Sequence, residues 1–183
     1  MSKTKVTIIA AISDNHAVGL KDGHKGMPWP NMKTDQKFFK SITMGTGNTG
    51  HPVCMGRNTF LGFDGNLLSG RHHLVLSSNS VADSPSVSWR PDVASILAHP
   101  KANETGQLFV LGGPQTWNAF IGVADELLVT YIGESYPADA FYPNLSIKKL
   151  SLDRSAWKLE TCSFQVDEVN RTPLTFTKWL MRE

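Results

Sequence analysis

The first apolar run of the chain, residues 6–12, constrains the fold more than any other stretch. It contains five β-branched residues and lacks the apolar–polar alternation of a half-exposed strand. Such runs are typical of strands that are buried on both faces of a parallel or mixed sheet. Residues 108–111 and 127–132 are also apolar and read as strands, the latter with Thr130 inside it. The chain therefore requires a central sheet with both faces covered.

Helical segments alternate with the predicted strands. Further strands are predicted at residues 52–55, 71–76 and 87–89, and helices at residues 33–44, 57–63, 93–98 and 115–121. Asp92 is the predicted N-cap of the third helix. Apolar and polar residues alternate within residues 157–166 and 174–180, and a polar connection joins the two segments, which predicts a C-terminal antiparallel hairpin. Residues 139–143 are predicted to be irregular. The pattern predicts a single α/β domain spanning residues 1–183. Its twisted, mostly parallel sheet should have about eight strands flanked by helices.

Composition excludes several classes of protein. The 183 residues are 40% hydrophobic and 19% charged, and the net charge of +2 is too small to indicate a nucleic-acid or membrane partner. No segment approaches the roughly 18 apolar residues of a membrane span. The N-terminus shows no signal-peptide core, so we expect a cytoplasmic protein. Cys54 and Cys162 both lie in apolar runs, which favours two buried free thiols over a disulfide.

The stretch at residues 27–39 carries the strongest local signal. Pro28 and Pro30 surround Trp29 and fix an extended entry that cannot be the interior of a helix. Asn31 is a plausible N-cap for the helix that follows. On that helix, Asp35 shares a face with two phenylalanines, three and four positions further on.

Two interpretations of Asp35 remain open at this point. An acid in the first turn often complements the helix dipole on a solvated face, and base rates favour that interpretation. The alternative is a partly buried carboxylate on the floor of an apolar pocket, which would be a functional group.

Two glycine-bearing loops flank this region. Residues 13–26 form a polar loop just before the Trp-Pro entry, which makes the loop a candidate lid. Residues 45–50 match the dinucleotide-binding pattern of glycines, but they follow a helix and precede a strand. Since that pattern must follow a strand and open a helix, we interpret these residues as a simple connection.

The motifs, taken in order, resemble those of dihydrofolate reductases. They are the first strand with its Val18-Gly19 loop, the Trp29-Pro30 entry with Asp35, Met-Gly-Arg-Asn-Thr-Phe at 55–60, Gly70-Arg71 before Leu-Val-Leu-Ser-Ser at 74–78, and Val-Leu-Gly-Gly at 110–113. The resemblance runs from about Val6 to Trp179. It implies an NADPH-dependent oxidoreductase that acts on a CH–NH group, with hydride transfer to C6 of dihydrofolate and protonation of N5.

The resemblance also implies roles for individual residues. Asp35 would grip the pterin and promote N5 protonation, because aromatic neighbours that desolvate a carboxylate raise its pKa. Arg71 would bind the α-carboxylate of the folate glutamate through its planar fork. The catalytic set implied is Asp35, Trp29 and Thr130, and the substrate-binding set adds Ile9, Ala10, Phe39, Phe63, Leu68, Arg71 and Leu111.

The cofactor residues implied lie in four segments. They are Ala11, Val18 and Gly19; Arg57, Asn58 and Thr59; Ser77 and Ser78; and Leu111, Gly112, Gly113, Gln115, Thr116 and Trp117. Three positions depart from the family pattern: Pro114 replaces a third glycine, Gln115 stands where arginine is common, and Trp117 replaces a tyrosine. We therefore expect NADPH to be preferred over NADH by a smaller margin than is usual in the family.

Two other functions remain as alternatives. A pyrimidine reductase of riboflavin synthesis shares the fold, and a folate-binding structural component would bind without much turnover. The expected partners are dihydrofolate and antifolates such as methotrexate or trimethoprim, the expected state is a monomer, and no metal site is expected because the histidines lack ligand spacing.

Overall fold

The computed structural model contains an eight-stranded sheet with the strand order β5-β4-β3-β6-β1-β7-β10-β9. It describes residues 3–24, 26–45, 49–79, 81–142, 144 and 155–182. The strands are β1 Lys5–Ser13, β2 Ala17–Gly19, β3 Val53–Gly56, β4 His73–Leu76, β5 Val87–Arg90, β6 Gln107–Gly112, β7 Glu126–Ile132, β8 Ala140–Phe141, β9 Trp157–Val166 and β10 Pro173–Met181. The helices are α1 Lys33–Met44, α2 Arg57–Leu61, α3 Val93–Ala98 and α4 Pro114–Phe120, with a 3-10 helix at Pro100–Asn103.

The pairing of the strands confirms the predicted fold class. β1 is parallel to β6, and β3 is parallel to both β4 and β6. β10 runs antiparallel to both β7 and β9, which gives the C-terminal hairpin. Seven of the nine residues of β1 are buried, as its unbroken apolar run predicts. The mostly parallel sheet thus follows from strands that have no solvated face.

The chain forms two compact units. Unit 1 comprises Met1–Ile8 and Phe39–Ala124, and unit 2 comprises Ile9–Phe38 and Asp125–Glu183. Unit 1 holds the parallel strands β3, β4, β5 and β6 with helices α2, α3 and α4. Unit 2 holds β7, the hairpin and the Trp29 entry.

Helix α1 has the predicted bounds, but its start is built differently. The N–H of Gln36 donates to the carbonyl of Met32 at 3.0 Å, which makes Met32 the N-cap residue rather than Asn31. A methionine side chain is a poor acceptor for the free N–H groups of the first turn. The carboxylate of Asp167 instead accepts the N–H of Thr34 at 3.0 Å, from the turn of the hairpin.

Three expectations about the C-terminal third of the chain are wrong. Within the stretch predicted to be irregular, β8 forms a short antiparallel pair with β2. Buried and exposed side chains do not alternate along β9, since only Trp157 among its ten residues is buried. It is an edge strand of the sheet, so neither of its faces needs to be apolar. For the same reason Cys162 is exposed, whereas Cys54 on β3 is buried as expected.

Two further expectations concern loops and membranes. Gly45 ends the first helix with a positive φ of 61°, and residues 46–48 of the glycine-bearing connection lie outside the described residues. Within the described ranges, no helix has the length and apolar character needed to cross a membrane.

Candidate active site

The candidate site of unit 2 centres on the carboxyl group of Asp35, in the first turn of α1. Its pKa is raised above the ordinary value, chiefly because burial disfavours the charged form. The hydroxyl of Thr130, which is 2% exposed on β7, donates to this carboxyl and opposes the rise. The negative charge of Asp167 raises the pKa of Asp35 further. Asp35 therefore has the environment of a protonatable group rather than that of a solvated first-turn acid.

Apolar side chains at the start of α1 pack against the strands of unit 2. Trp29 and Met32 are buried in one cluster with Ile132, Leu174 and Phe176, and Phe38 and Tyr136 pack against that cluster. The ring of Phe38 lies 4.7 Å from that of Phe176, and the ring of Trp29 meets Tyr136 edge-on at 6.2 Å. Trp29 and Phe38 were predicted from the sequence as aromatic neighbours of the acid, whereas Tyr136 and Phe176 were not. The third predicted neighbour, Phe39, packs against Arg71.

The predicted residues on β1 and in the candidate lid belong to the same unit. Ile9, Ala10 and Val18 are buried, and Ala11 and Gly19 are half-buried. The backbone carbonyl of Gly19 accepts the N–H of Asp139 at 3.1 Å, and the carbonyl of Gly26 accepts the N–H of Leu20 at 3.0 Å. The candidate lid is therefore held by a hydrogen bond within the loop and by another to the residue that precedes β8.

The candidate site of unit 1 centres on the guanidinium group of Arg71, just before β4. The residue is only 9% exposed, and burial lowers its pKa. Nη1 donates to the hydroxyl of Thr43 at 2.8 Å, and Nε donates to the carbonyl of Ser69 at 3.3 Å. The ring of Phe39 lies 5.7 Å below the guanidinium carbon. Arginine remains charged even when buried, so a fixed cation results.

The backbone around Arg71 is closely fitted. A Cβ atom at Gly50 would lie 2.6 Å from Cγ of Arg71, so any larger residue there would displace the arginine. The N–H of Arg71 donates to the carbonyl of Leu68 at 3.3 Å, and the N–H of Leu68 donates to Nε2 of His73 at 3.1 Å. Leu68 is thus held beside Arg71, and Phe63 is half-buried in the preceding segment.

A second group of predicted residues in unit 1 follows the carboxyl ends of three neighbouring parallel strands. Arg57, Asn58 and Thr59 open α2 directly after β3. Ser77 and Ser78 follow β4, and Gly113 follows β6. In open α/β sheets this edge is where ligands bind. The sheet order β4-β3-β6 brings the three segments together, which no single motif in the sequence could show.

The Gly112-Gly113 turn is tightly packed. Its peptide bond is cis, and Gly112 has a φ of +115° that favours glycine. A Cβ atom there would lie 2.6 Å from the indole of Trp117, and one at Gly56 would lie 2.6 Å from the hydroxyl of Thr116. Thr116 and Trp117 are buried by these contacts, whereas Gln115 is exposed and Leu111 is half-buried.

Gln115 supplies no positive charge where an arginine is common in the family. The side chains that could supply that charge instead are buried or already bonded to other groups. Arg90 pairs with Asp83 through both of its terminal nitrogens, at 3.1 and 2.9 Å. His73 has no exposed surface, and burial lowers its pKa. His72 bonds the hydroxyl of Ser88 at 3.0 Å, and burial lowers its pKa as well. Arg57, in contrast, is exposed at the start of α2.

Sequence reasoning missed Thr43, which accepts a hydrogen bond from Arg71, and Asp167, whose negative charge acts on Asp35. A buried threonine one turn after Phe39 was a usable signal, because it must find a partner for its hydroxyl. Asp167 offered a weaker signal, an aspartate that opens a polar turn. Among the described residues, no group of three or more His, Cys, Asp or Glu side chains could hold a metal ion.

The fold and these features place the protein in the class of α/β reductases. It has a protonatable carboxyl group, and the carboxyl ends of its parallel strands form an edge of the kind that binds nucleotides. A family model described as dihydrofolate reductase matches residues 5–181. The chain therefore belongs to the dihydrofolate reductase family.

Individual relatives agree with this membership. The type 3 dihydrofolate reductase of Salmonella typhimurium is 32% identical over 151 residues, which cover 82% of this chain and 86% of the relative. Dihydrofolate reductase HdrB of Haloferax volcanii is 30% identical over 84% of this chain and 74% of its own length. The solved structure of the Enterococcus faecalis dihydrofolate reductase, complexed with NADP(H) and RAB-propyl, is 25% identical with a TM-score of 0.82 and covers 99% of this chain and 98% of that one.

Proposed function

We propose that this chain reduces 7,8-dihydrofolate to 5,6,7,8-tetrahydrofolate, with NADPH as the hydride donor. The observation that carries the proposal is the half-buried carboxyl group of Asp35, whose pKa desolvation raises, in a chain of this family. Hydride passes from C4 of the nicotinamide to C6 of the pterin, and a proton reaches N5. A carboxyl group with a raised pKa favours the second step, because it keeps a proton available at higher pH.

The pterin end of the substrate is assigned to Asp35. A carboxylate accepts two parallel N–H bonds, which matches the 2-amino group and N3 of the pterin ring. Thr130 orients the carboxyl group through its hydroxyl, and Trp29 closes the apolar wall beside it. Ile9, Ala10 and Leu111 are assigned to the rest of the pterin surface.

The glutamate end is assigned to Arg71. Thr43 occupies one N–H of Nη1 and Ser69 occupies the N–H of Nε, so Nη2 and the second N–H of Nη1 are left as a fork for a carboxylate. Phe39, Phe63 and Leu68 would lie along the p-aminobenzoyl ring. Antifolates that carry a glutamate, such as methotrexate, would use the same contact, whereas trimethoprim would use only the contacts around Asp35.

The cofactor is assigned to the strand edge of unit 1. Arg57 with the Ser77-Ser78 turn would hold the 2′-phosphate, and the Gly112-Gly113 turn lets backbone approach closely. The remaining assigned cofactor residues are Ala11, Val18, Gly19, Asn58, Thr59, Leu111, Gln115, Thr116 and Trp117.

The preference for NADPH therefore depends chiefly on Arg57. Arg90 is committed to Asp83, and a dianionic phosphate needs a fixed cation. We expect Arg57→Ala to narrow the ratio of kcat/KM for NADPH over NADH, mainly by weakening NADPH. An unchanged ratio would place the 2′-phosphate elsewhere. Arg90→Ala is the matched control, and it should leave the ratio in place.

One assay separates the candidate functions. Purified protein is mixed with NADPH and dihydrofolate, and the loss of reduced-nicotinamide absorbance is followed with and without methotrexate. Methotrexate-sensitive turnover supports the proposal. Turnover only with the pyrimidine substrate of riboflavin synthesis would support a pyrimidine reductase, and tight folate binding without turnover would support a structural component.

We further propose that residues 1–183 act as one catalytic domain, as a monomer in the cytoplasm. The family model spans both units, which supports a single functional domain. Size-exclusion chromatography with light scattering measures the mass in solution, and a value of about twice 20.1 kDa would contradict the monomer.

A further inference from the structure

The turn of the C-terminal hairpin is bonded to the start of α1. Oδ2 of Asp167 accepts the N–H of Thr34 at 3.0 Å, and the hydroxyl of Thr34 accepts the N–H of Glu168 at 3.1 Å. Nδ2 of Asn170 donates to the carbonyl of Asn31 at 2.8 Å. Three hydrogen bonds therefore tie the residues on either side of the helix start to one turn, and Asp35 is the next residue of the helix.

The Asp167 carboxylate is built to remain charged. The residue has no exposed surface, and burial by itself would raise its pKa. The N–H groups of Asn170, Thr34 and Val169 outweigh burial, so the pKa is lowered. Oδ1 accepts the N–H groups of Val169 and Asn170 at 3.0 and 2.9 Å. A carboxylate with several backbone N–H donors keeps its negative charge at neutral pH.

Two neighbouring acids of this turn have partners of their own, and the cation of the turn, Arg171, is exposed and donates its backbone N–H to the carbonyl of Asp167 at 3.1 Å. Glu168 forms an ion pair with Lys37 at 2.7 Å, and both side chains are exposed. Glu134 accepts the hydroxyl of Thr172 at 2.9 Å and that of Tyr136 at 2.8 Å. On the β7 side, Asp35 meets the uncharged hydroxyl of Thr130. The fixed charge that acts on Asp35 is that of Asp167.

We propose that Asp167 is a positioning residue of the reaction, which fixes the place of the Asp35 carboxyl group and favours its protonated form. The two carboxyl groups have opposite environments: N–H donors hold one ionised, and apolar packing makes the other protonatable. In such a pair one acid carries the negative charge and the other is more easily protonated, because a nearby negative charge disfavours ionisation of the second carboxyl group. The inference rests on the proposed function, in which Asp35 assists protonation of N5.

A purely structural cap predicts a different outcome. If Asp167 only satisfied the N–H of Thr34, its loss would lower the thermal stability and leave the protonation of Asp35 unchanged. The deciding readout is therefore the pH dependence of hydride transfer from NADPH to dihydrofolate. Asp167→Asn removes the charge and keeps one acceptor oxygen, whereas Asp167→Glu keeps the charge. Glu168→Gln is the matched control, because it removes a neighbouring acid of the same turn.

In Asp167→Asn we expect the midpoint of the rate-against-pH profile to move down by about half a unit or more. That shift lowers the rate at neutral pH by about 3-fold or more, and the rate at acidic pH is retained. Asp167→Glu should keep the midpoint near that of the wild type, and Glu168→Gln should leave it unchanged. An unmoved midpoint in Asp167→Asn, or an equal shift in Glu168→Gln, would overturn the proposal.

Two additions keep the test decisive. Should Asp167→Asn fail to fold, Asp167→Ser replaces it, because serine is neutral and its hydroxyl can still accept the N–H of Thr34. The Asp35 carboxyl group can also be titrated by NMR with carbon-labelled aspartate, without any turnover. Absence of dihydrofolate reduction by the wild type would contradict the proposed function, and the NMR titration would still show whether Asp167 shifts the protonation of Asp35.

Discussion

Asp35 and Arg71 are held in the same way but respond oppositely to burial. Each belongs to a different unit, and each is hydrogen-bonded to a threonine hydroxyl, from Thr130 and Thr43 respectively. Burial raises the pKa of the carboxyl group and lowers that of the guanidinium. Only the acid approaches a working pH, because the ordinary pKa of arginine lies far above it. One group can therefore exchange a proton during turnover, while the other remains a fixed cation.

The direction of each threonine hydrogen bond follows from this difference. The hydroxyl of Thr130 donates to Asp35, which favours the ionised form and limits the rise of its pKa. The hydroxyl of Thr43 accepts from Arg71 and donates to the carbonyl of Phe39 at 2.8 Å. Its orientation is thus fixed by the helix, so it can only act as an acceptor toward the guanidinium.

The largest expected effect tests the acid. Asp35→Asn should lower turnover at neutral pH by about 10²- to 10⁴-fold, because general acid–base assistance is lost. The residual rate should rise as the pH falls, since the substrate then binds a proton from solution. Circular dichroism checks that the fold is intact. Turnover like that of the wild type at neutral pH would remove Asp35 from the mechanism.

The next effect tests the cation. Arg71→Lys should raise the KM for dihydrofolate by about 10- to 100-fold with a smaller change in kcat, because a bidentate contact far from the reacting carbon is lost. The comparison substrate is a pterin without the glutamate tail. It should show no such penalty, and an equal loss with it would contradict the assignment of Arg71 to the carboxylate.

A smaller effect tests the threonine that orients the cation. Thr43→Val should raise the KM for dihydrofolate a few-fold and destabilise the fold by about 1–3 kcal/mol, because a buried donor of Arg71 loses its acceptor. Thr43→Ser keeps the hydroxyl and is the matched control. The hypothesis fails if valine and serine give the same KM, which would show that Arg71 is oriented without this bond.

The smallest effect concerns stability rather than rate. When the pKa of an acid is higher in the folded protein than in the unfolded one, the free energy of unfolding falls as the pH rises from the unfolded-state pKa through the folded-state pKa. The ordinary value for aspartate is 3.8, so Asp35→Asn should be more stable than the wild type at neutral pH. The gain should be on the order of a few degrees in Tm and should vanish near pH 3.8.

Thermal melts of both proteins across this pH range measure the difference. Asp22→Asn, at an exposed loop position, is the control and should show no such dependence. A destabilised Asp35→Asn at neutral pH would mean that the hydrogen bond from Thr130 outweighs burial.

Much of the local structure could be predicted from the sequence. The bounds of α1 match the prediction, because periodicity and the preceding prolines act over a few residues. The side chain of Asp92 caps α3 through the N–H of Ser95, as its residue type predicts. The exposure of β9 and Cys162 could not be predicted, because an edge strand and a buried strand differ only in their neighbours.

The sequence by itself determined where the main strands and helices form, although not the short pair of β2 and β8, and where glycine is required. Gly112 is an example, because its φ of +115° and the indole packed against it leave no room for a side chain. Tertiary structure alone decided the state of the ionisable groups. Thr34 and Asp167 are separated by 133 positions, yet their hydrogen bond places a fixed charge beside Asp35. A pKa depends on burial and on all nearby charges, so folding must bring those groups together before it is set.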